Sequence, residues 1–316
     1  MKPLPIIFVH TGNSNIISYA LNQAREFNPD SEIILLGDES NSWVQKHGFR
    51  HFNVSDYYGM AEKFNDVYVH MSPNPIGYER FCFQRWMVIK EFLDSCEEID
   101  RFVYLDTDVL LYSNVTDYCE KYLDGIDITV CKDQGPQYTF LTRKSIGELA
   151  DYMLESYADA DKLEKIKNYY NDYFIKGNRY GGICDMTLFE WFAKSKNYFD
   201  TNQIVDNGLF DNSVNRSESF ELKNKIKKII IKDGKAYGTK KGQSELITFY
   251  GLHFQGKAKW FMYKYYTGDP TKVRSKAKSF IAEKGYFIKV YLWSLVGKLK
   301  LKSIIKRVFK ITKPSV

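Results

Sequence analysis

Asp106 and Asp108 stand one residue apart at the end of an apolar run, Phe102-Val-Tyr-Leu105, and Val109, Leu110 and Leu111 follow them directly. A short run rich in Val, Tyr and Phe reads as a buried strand. In extended backbone, residues i and i+2 project to the same side, so the two carboxylates would form a two-pronged acidic site at a strand tip. Such a pair suits a hard divalent cation, and a cation held there can hold a phosphate. A plainer reading has two acids capping a strand before a solvated turn. The apolar setting speaks against it, because carboxylates inside such a segment are costly unless paired or metal-bound.

An alternation of strands and helices must position these acids. Residues 5–9 read as a first strand, and Ile17, Ala20, Leu21, Ala24 and Phe27 fall at helical spacing behind Asn13 or Ser14. Residues 32–36 form a second strand that ends at Gly37-Asp38, and a small strand follows near 51–54. A helix over residues 78–93, with Phe81, Trp86, Val88, Ile89 and Phe92 on its apolar side, leads into the acid-tipped strand. This order predicts an α/β fold, with an open, mixed, mostly parallel sheet flanked by helices and ligands at the carboxyl ends of its strands.

In the second half, residues 126–130, 139–142 and 246–254 read as strands and 144–173 as largely helical. Residues 226–232 and 235–238 flank Asp233-Gly234, a hairpin turn signal. Residues 1–270 read as one catalytic domain, with a nucleotide-binding half (1–130) and a half for the donor sugar and acceptor (131–270). Residues 271–316 read as a basic amphipathic helical tail, with Lys298, Lys302, Lys306 and Lys310 every four residues. Two uses of that pattern stay open, an anionic membrane surface or a docked helix with a solvated basic face.

The 316-residue chain is 44% hydrophobic and 27% charged, ordinary proportions for a folded soluble protein. Its 24 Tyr and 22 Phe suit a large core and flat sugar-facing surfaces. The net charge of +6 is concentrated after residue 284, where no acid occurs, so the body is close to neutral and nucleic acid is not an expected partner. There is no apolar run long enough to span a membrane. The proline-broken start does not read as a secretory signal, and the five scattered cysteines suit a reduced setting. A cytoplasmic location, peripheral to the inner membrane face, is the expectation.

Four segments resemble a known family in order. Tyr78-Glu-Arg80 resembles the Tyr-x-Arg of the helix before the acid pair, and Asp106-Thr107-Asp108 resembles the DxD motif. Gly181-Gly182-Ile-Cys-Asp185 resembles the segment beside the donor sugar, and His253-Phe-Gln-Gly256-Lys-Ala-Lys259 resembles a late His-x-x-Gly-x-x-Lys motif. The chain is thus similar to nucleotide-sugar glycosyltransferases of the GT-A type, close in pattern to glycosyltransferase family 8.

That resemblance implies Mn²⁺ or Mg²⁺ held by Asp106, Asp108 and His253, and an imidazole in an oxygen-rich set favours Mn²⁺. It implies a nucleotide-sugar donor, UDP-linked by default, that meets Asp106, Thr107, Gly182, Gly256 and Lys259. A glycine permits close backbone approach, and the lysine can reach the same phosphates. His10, Thr11, Gly12 and Asp38 would face the nucleoside, although the Asp and Tyr that the family carries after its first strand are missing here. Asp185, Arg80 and Lys259 are the expected catalytic group. Arg85 is expected on the helix surface, and Asp185 can also serve as a helix N-cap. The implied reaction moves the sugar to a hydroxyl of a glycan or glycolipid with retention of configuration. Two alternatives are a haloacid-dehalogenase-type phosphatase using Asp106 as nucleophile and a non-catalytic sugar-binding relative.

Overall fold

Two sheets meet at the Asp106-Thr107-Asp108 turn. The computed structural model describes residues 2–132 and 135–273. The chain begins β1 (Ile6–Val9), α1 (Asn15–Phe27), β2 (Ile33–Gly37), β3 (Arg50–Asn53), α2 (Gly59–Val67), α3 (Ile76–Asp94) and β4 (Arg101–Leu105). It continues through β5 (Val109–Leu111), α4 (Val115–Tyr122), β6 (Ile128–Val130), β7 (Tyr138–Thr142), α5 (Arg143–Ala158), α6 (Ala160–Tyr169) and α7 (Asp185–Ala193). Then follow β8 (Tyr198–Asp200), β9 (Gly208–Phe210), β10 (Leu222–Lys223), β11 (Ile226–Lys227), β12 (Ile230–Lys232), β13 (Lys235–Thr239), β14 (Leu246–His253) and α8 (Met262–Tyr265).

The larger sheet has the order β3-β2-β1-β4-β7-β6-β8. Its β1/β2, β2/β3, β1/β4 and β6/β8 pairs are parallel, and β4/β7 and β6/β7 are antiparallel. This is the α/β, mostly parallel arrangement that the alternation predicts. Along β1 and β4, Ile6, Phe8, Val103 and Leu105 join the core on the α1 side, while Ile7, Val9, Phe102 and Tyr104 join the core under α3 and α5. Both faces are covered, which is why these strands read as unbroken apolar runs. Between β1 and β4 the sheet changes direction of growth, and the open-sheet rule places a ligand crevice beyond their carboxyl ends.

The second sheet has the order β12-β13-β14-β5, with β9 pairing β14 in parallel. Val109–Leu111 therefore does not extend β4. It crosses into the other sheet and pairs with Gly251, Leu252 and His253. The expected helix over 144–173 is broken at Asp159, which closes α5 and caps α6 through Lys162 N at 2.9 Å. Residues 226–232 form two short strands, and Asp233 and Gly234 both take positive φ, as a tight hairpin turn requires.

Lys272 accepts a hydrogen bond from Asn22 on α1, and Val273 is buried in the core. The basic amphipathic stretch expected beyond that point lies outside the described residues. Among the described residues, no helix is long and apolar enough to cross a membrane.

Candidate metal and phosphate site

Val109 N donates to Asp106 O at 3.1 Å, so the two acids sit in a turn and not in extended backbone. Their side chains diverge. Asp106 faces α3 and accepts from Arg85 Nη1 at 2.8 Å and from the Tyr104 hydroxyl at 2.5 Å. Asp108 faces the second sheet, 3.4 Å from His253 Nε2 and 3.5 Å from Lys259 Nζ. One ligand atom each from Asp106, Asp108 and His253 still falls within 4.8 Å of the others. The two-pronged site exists, but the turn makes it.

His253 ends β14 and is buried. Its Nδ1 lies 2.7 Å from the Asn212 carbonyl, which can only accept, so Nδ1 carries hydrogen and Nε2 faces the acids. Burial alone would lower the His253 pKa. The Asp108 carboxylate beside it outweighs burial and raises it to about 9. For Asp108, burial pushes upward, and the charges of His253 and Lys259 overcome it to hold the carboxyl at about 2. Two carboxylates and an oriented imidazole nitrogen suit Mn²⁺ better than Mg²⁺, which prefers oxygen alone.

His10, just past β1, meets Thr107 through Nδ1 and Oγ1 at 2.8 Å, which closes the gap between the β1 and β4 ends. Burial, and then Lys259, lower its pKa. Asn41 fixes this loop by donating to the carbonyls of His10 (2.7 Å) and Gly12 (3.2 Å). Asp38 fixes it as well, accepting from Gly12 N at 2.5 Å and from Ser40 N at 2.9 Å. Burial favours its neutral form, yet the Ser40 and Gly12 hydrogen bonds lower its pKa. Asp38 thus shapes the loop, while Thr11 is exposed at its tip.

The arginine that contacts both Asp106 and Asp185 is Arg85. Arg85 bridges Asp106 to Asp185, reaching the latter through Nη2 at 2.5 Å, and its guanidinium lies 5.0 Å from the Trp86 ring and 5.2 Å from the Tyr104 ring. Its charge is strongly retained, because Asp185, Tyr104 and Asp106 overcome the burial that disfavours it. Arg80, five residues earlier, leaves the same helix about 140° away, and its charge is felt by Tyr58 and Tyr68. The expected surface position for Arg85 is therefore wrong. The signal was in the sequence, because Arg85 shares its helix stripe with Cys82 and Ile89, and an arginine in an apolar stripe needs a buried partner.

Asp185 is the first residue of α7, and Cys184 occupies the N-cap. Its Oδ2 also accepts from Trp86 Nε1 at 3.2 Å. Gly182 packs against backbone. A Cβ there would lie 2.2 Å from Met71 O, and the next amide, Ile183 N, donates to that same oxygen. Gly256 has φ +62° and opens the 3₁₀ segment Gly256–Phe261 that carries Lys259. Lys259, Trp260 and Tyr263 face Asn13–Ile16 and Tyr19 across a cavity of ≈ 210 Å³. Sequence reasoning singled out neither Asn41 nor Asn212, since a lone asparagine carries no spacing signal.

No protein-family model and no curated protein matches this sequence. Solved structures align over part of it. Mouse xyloside xylosyltransferase 1 does so at 11% identity over 64% of this chain and 88% of that one, with a TM-score of 0.45. An active-site mutant of LgtC aligns at 15% identity over 63% and 73%, with a TM-score of 0.37. The glycosyltransferase GlyE of Streptococcus pneumoniae aligns at 13% identity over 66% and 46%, with a TM-score of 0.36. These are partial likenesses.

Proposed function

We propose that this chain is a GT-A-type glycosyltransferase, dependent on a divalent cation, with Mn²⁺ preferred. It transfers a sugar from a UDP-linked donor to a hydroxyl of a glycan or glycolipid. One observation carries this reading. Asp106, Asp108 and His253 offer ligand atoms within 4.8 Å of one another at the crevice between β1 and β4, with Lys259 Nζ 3.5 Å from Asp108. A cation bound by those three would neutralise charge on the departing nucleoside diphosphate.

The chain's own groups divide the remaining work. Lys259 supplies a second positive charge to the diphosphate. The loop from His10 to Gly12, shaped by Asp38 and Asn41, and the cavity beside Lys259 take the nucleoside. Arg85 holds Asp106 and Asp185 in one frame, and Asp185 orients donor-sugar hydroxyls. The Asp185 Oδ2 is already taken by Arg85 Nη2 and Trp86 Nε1, so it is not free to turn toward an acceptor hydroxyl. That favours retention of configuration over an inverting scheme that would use Asp185.

The phosphatase alternative needs Asp106 as a free nucleophile, and Arg85 and Tyr104 both engage its Oδ1. A retired binding module has no need of two carboxylates, an oriented imidazole and a lysine on one point. Five free cysteines and the basic residues after 284 support a cytoplasmic setting with peripheral contact to an anionic membrane.

A donor screen with Mn²⁺ tests the reading. Nucleoside diphosphate release from one nucleotide sugar, lost with EDTA and in Asp108→Ala, is expected, with the released sugar in the donor's anomeric form by NMR. Phosphate release from a simple phosphate ester, with no cleavage of any nucleotide sugar, would overturn it.

A further inference from the structure

We infer that Lys227, far from the acid pair in sequence, is a positioning residue for His253. This inference rests on the reading of His253 as a metal ligand. Lys227 lies on β11, in the strand-rich arm between β9 and β14, and its side chain is 0% exposed. A lysine so buried needs partners. Its Nζ binds the Asp211 carboxylate, Glu218 Oε2 at 2.5 Å and the Ser213 carbonyl at 3.0 Å.

Asp211 and Ser213 flank Asn212, whose carbonyl receives His253 Nδ1. Glu218 grips the same residue directly, since its Oε1 accepts from Asn212 Nδ2 at 3.2 Å. One ammonium therefore fixes both neighbours of Asn212 and the carboxylate that holds its side chain. The backbone runs the same way. Lys227 N donates to Val214 O at 2.8 Å, and Val214 N donates to His253 O at 3.0 Å.

The network also reaches the acids. Gln137 Nε2 donates to the Asn212 carbonyl at 3.2 Å, and the Gln137 carbonyl accepts from Asp106 N at 3.2 Å. Glu218 and Ser219 hold positive φ without being glycine, a strain that persists only where surroundings enforce it. With Lys227 in place, the Asn212 carbonyl points at Nδ1 and Nε2 is left to face Asp106 and Asp108. Without it, the loop 211–213 loses its anchor and the imidazole loses its fixed orientation.

Two variants and two readouts test this. Glu218→Ala keeps the Lys227–Asp211 pair and so leaves no unpaired buried charge. Lys227→Met with Asp211→Asn and Glu218→Gln removes all three charges together. The first readout is the hydrogen-bonded His253 Nδ1–H resonance in metal-free protein, followed by ¹⁵N NMR. The second is Mn²⁺ affinity in the presence of UDP. Exchange broadening of the resonance is expected in both variants, greater in the triple one. A loss of Mn²⁺ affinity on the order of tenfold is expected in the triple variant. A lowered melting temperature with a wild-type Nδ1–H signal in both variants would overturn the inference. Should wild-type protein bind no Mn²⁺ with UDP, the metal reading falls, and the Nδ1–H signal still decides whether Lys227 positions His253.

Discussion

Arg85 Nη2 lies 2.5 Å from Asp185 Oδ2 across 100 residues of sequence, and the same guanidinium holds Asp106. One cation thereby separates two carboxylates that would otherwise repel in a largely buried site. Arg85→Met should cost about 3–5 kcal/mol in stability, because it leaves buried carboxylates uncompensated. Arg85→Lys should recover only part of it, since an ammonium has no planar fork to span both acids. Urea unfolding of the three proteins checks this, and a fully stable Arg85→Met would show that the bridge contributes little.

The His253–Asp108 pair gives a pH signature. The folded pKa of His253, about 9, lies above its ordinary 6.5, so its stabilisation is full below 6.5 and is lost as pH rises through 9. The folded pKa of Asp108, about 2, lies below its ordinary 3.8, so its share is present above 3.8 and is lost as pH falls toward 2. Metal-free protein should therefore lose stability between pH 7 and 9, and Asp108→Asn should remove that loss. In an NMR titration the same variant should lower the His253 pKa, because burial is then less opposed.

If Mn²⁺ is held by His253 as proposed, it must displace the proton that Asp108 keeps there. Affinity without nucleotide should rise about tenfold per pH unit up to pH 9, with one proton released per ion. Calorimetry in buffers of different ionisation enthalpy counts that proton. A pH-independent affinity would mean that the ion avoids His253.

Lys259→Met should lower the rate of donor cleavage by about 10²-fold, the scale for removing one group that stabilises developing charge. Folding should be little changed, because Lys259 lies on a short 3₁₀ segment and its side chain is 35% exposed. An unchanged rate at saturating donor would remove Lys259 from the leaving-group role.

Gly182→Ala should destabilise by about 1–3 kcal/mol, since the added methyl would strike the backbone of Met71 and Ser72. Gly12→Ala meets open space, and its cost of about 1–2 kcal/mol comes from φ +87° alone. Denaturation midpoints compare the two directly.

The strand–helix alternation, the boundaries of β1, β4 and β14, and the Asp233-Gly234 hairpin were legible because each rests on local pattern. The meeting of Asp108, His253 and Lys259 was legible through resemblance alone, since no local rule brings β5 to β14. Arg85 was misplaced because helix periodicity shows which face a residue shares, not what stands opposite. The turn at 106–109 was missed because four apolar residues on one side and three on the other look like a single strand when the crossing between sheets is unseen. Asp38 and Asn41 act by holding backbone amides and carbonyls, and Asn212 by offering its own carbonyl to the His253 ring, and nothing in the residue types announces that.

The Asp-Thr-Asp turn is the covalent joint between two sheets, and the acids on it are held by different partners. Asp106 belongs to the frame of α3 and the large sheet, and Asp108 to that of β14 and the arm around Lys227. An ion shared by both acids and His253 would act as a clasp across this joint. Loading the donor should then slow amide hydrogen exchange in β12 and β13, at a distance from any phosphate, because those strands ride on the half of the molecule that the clasp draws in.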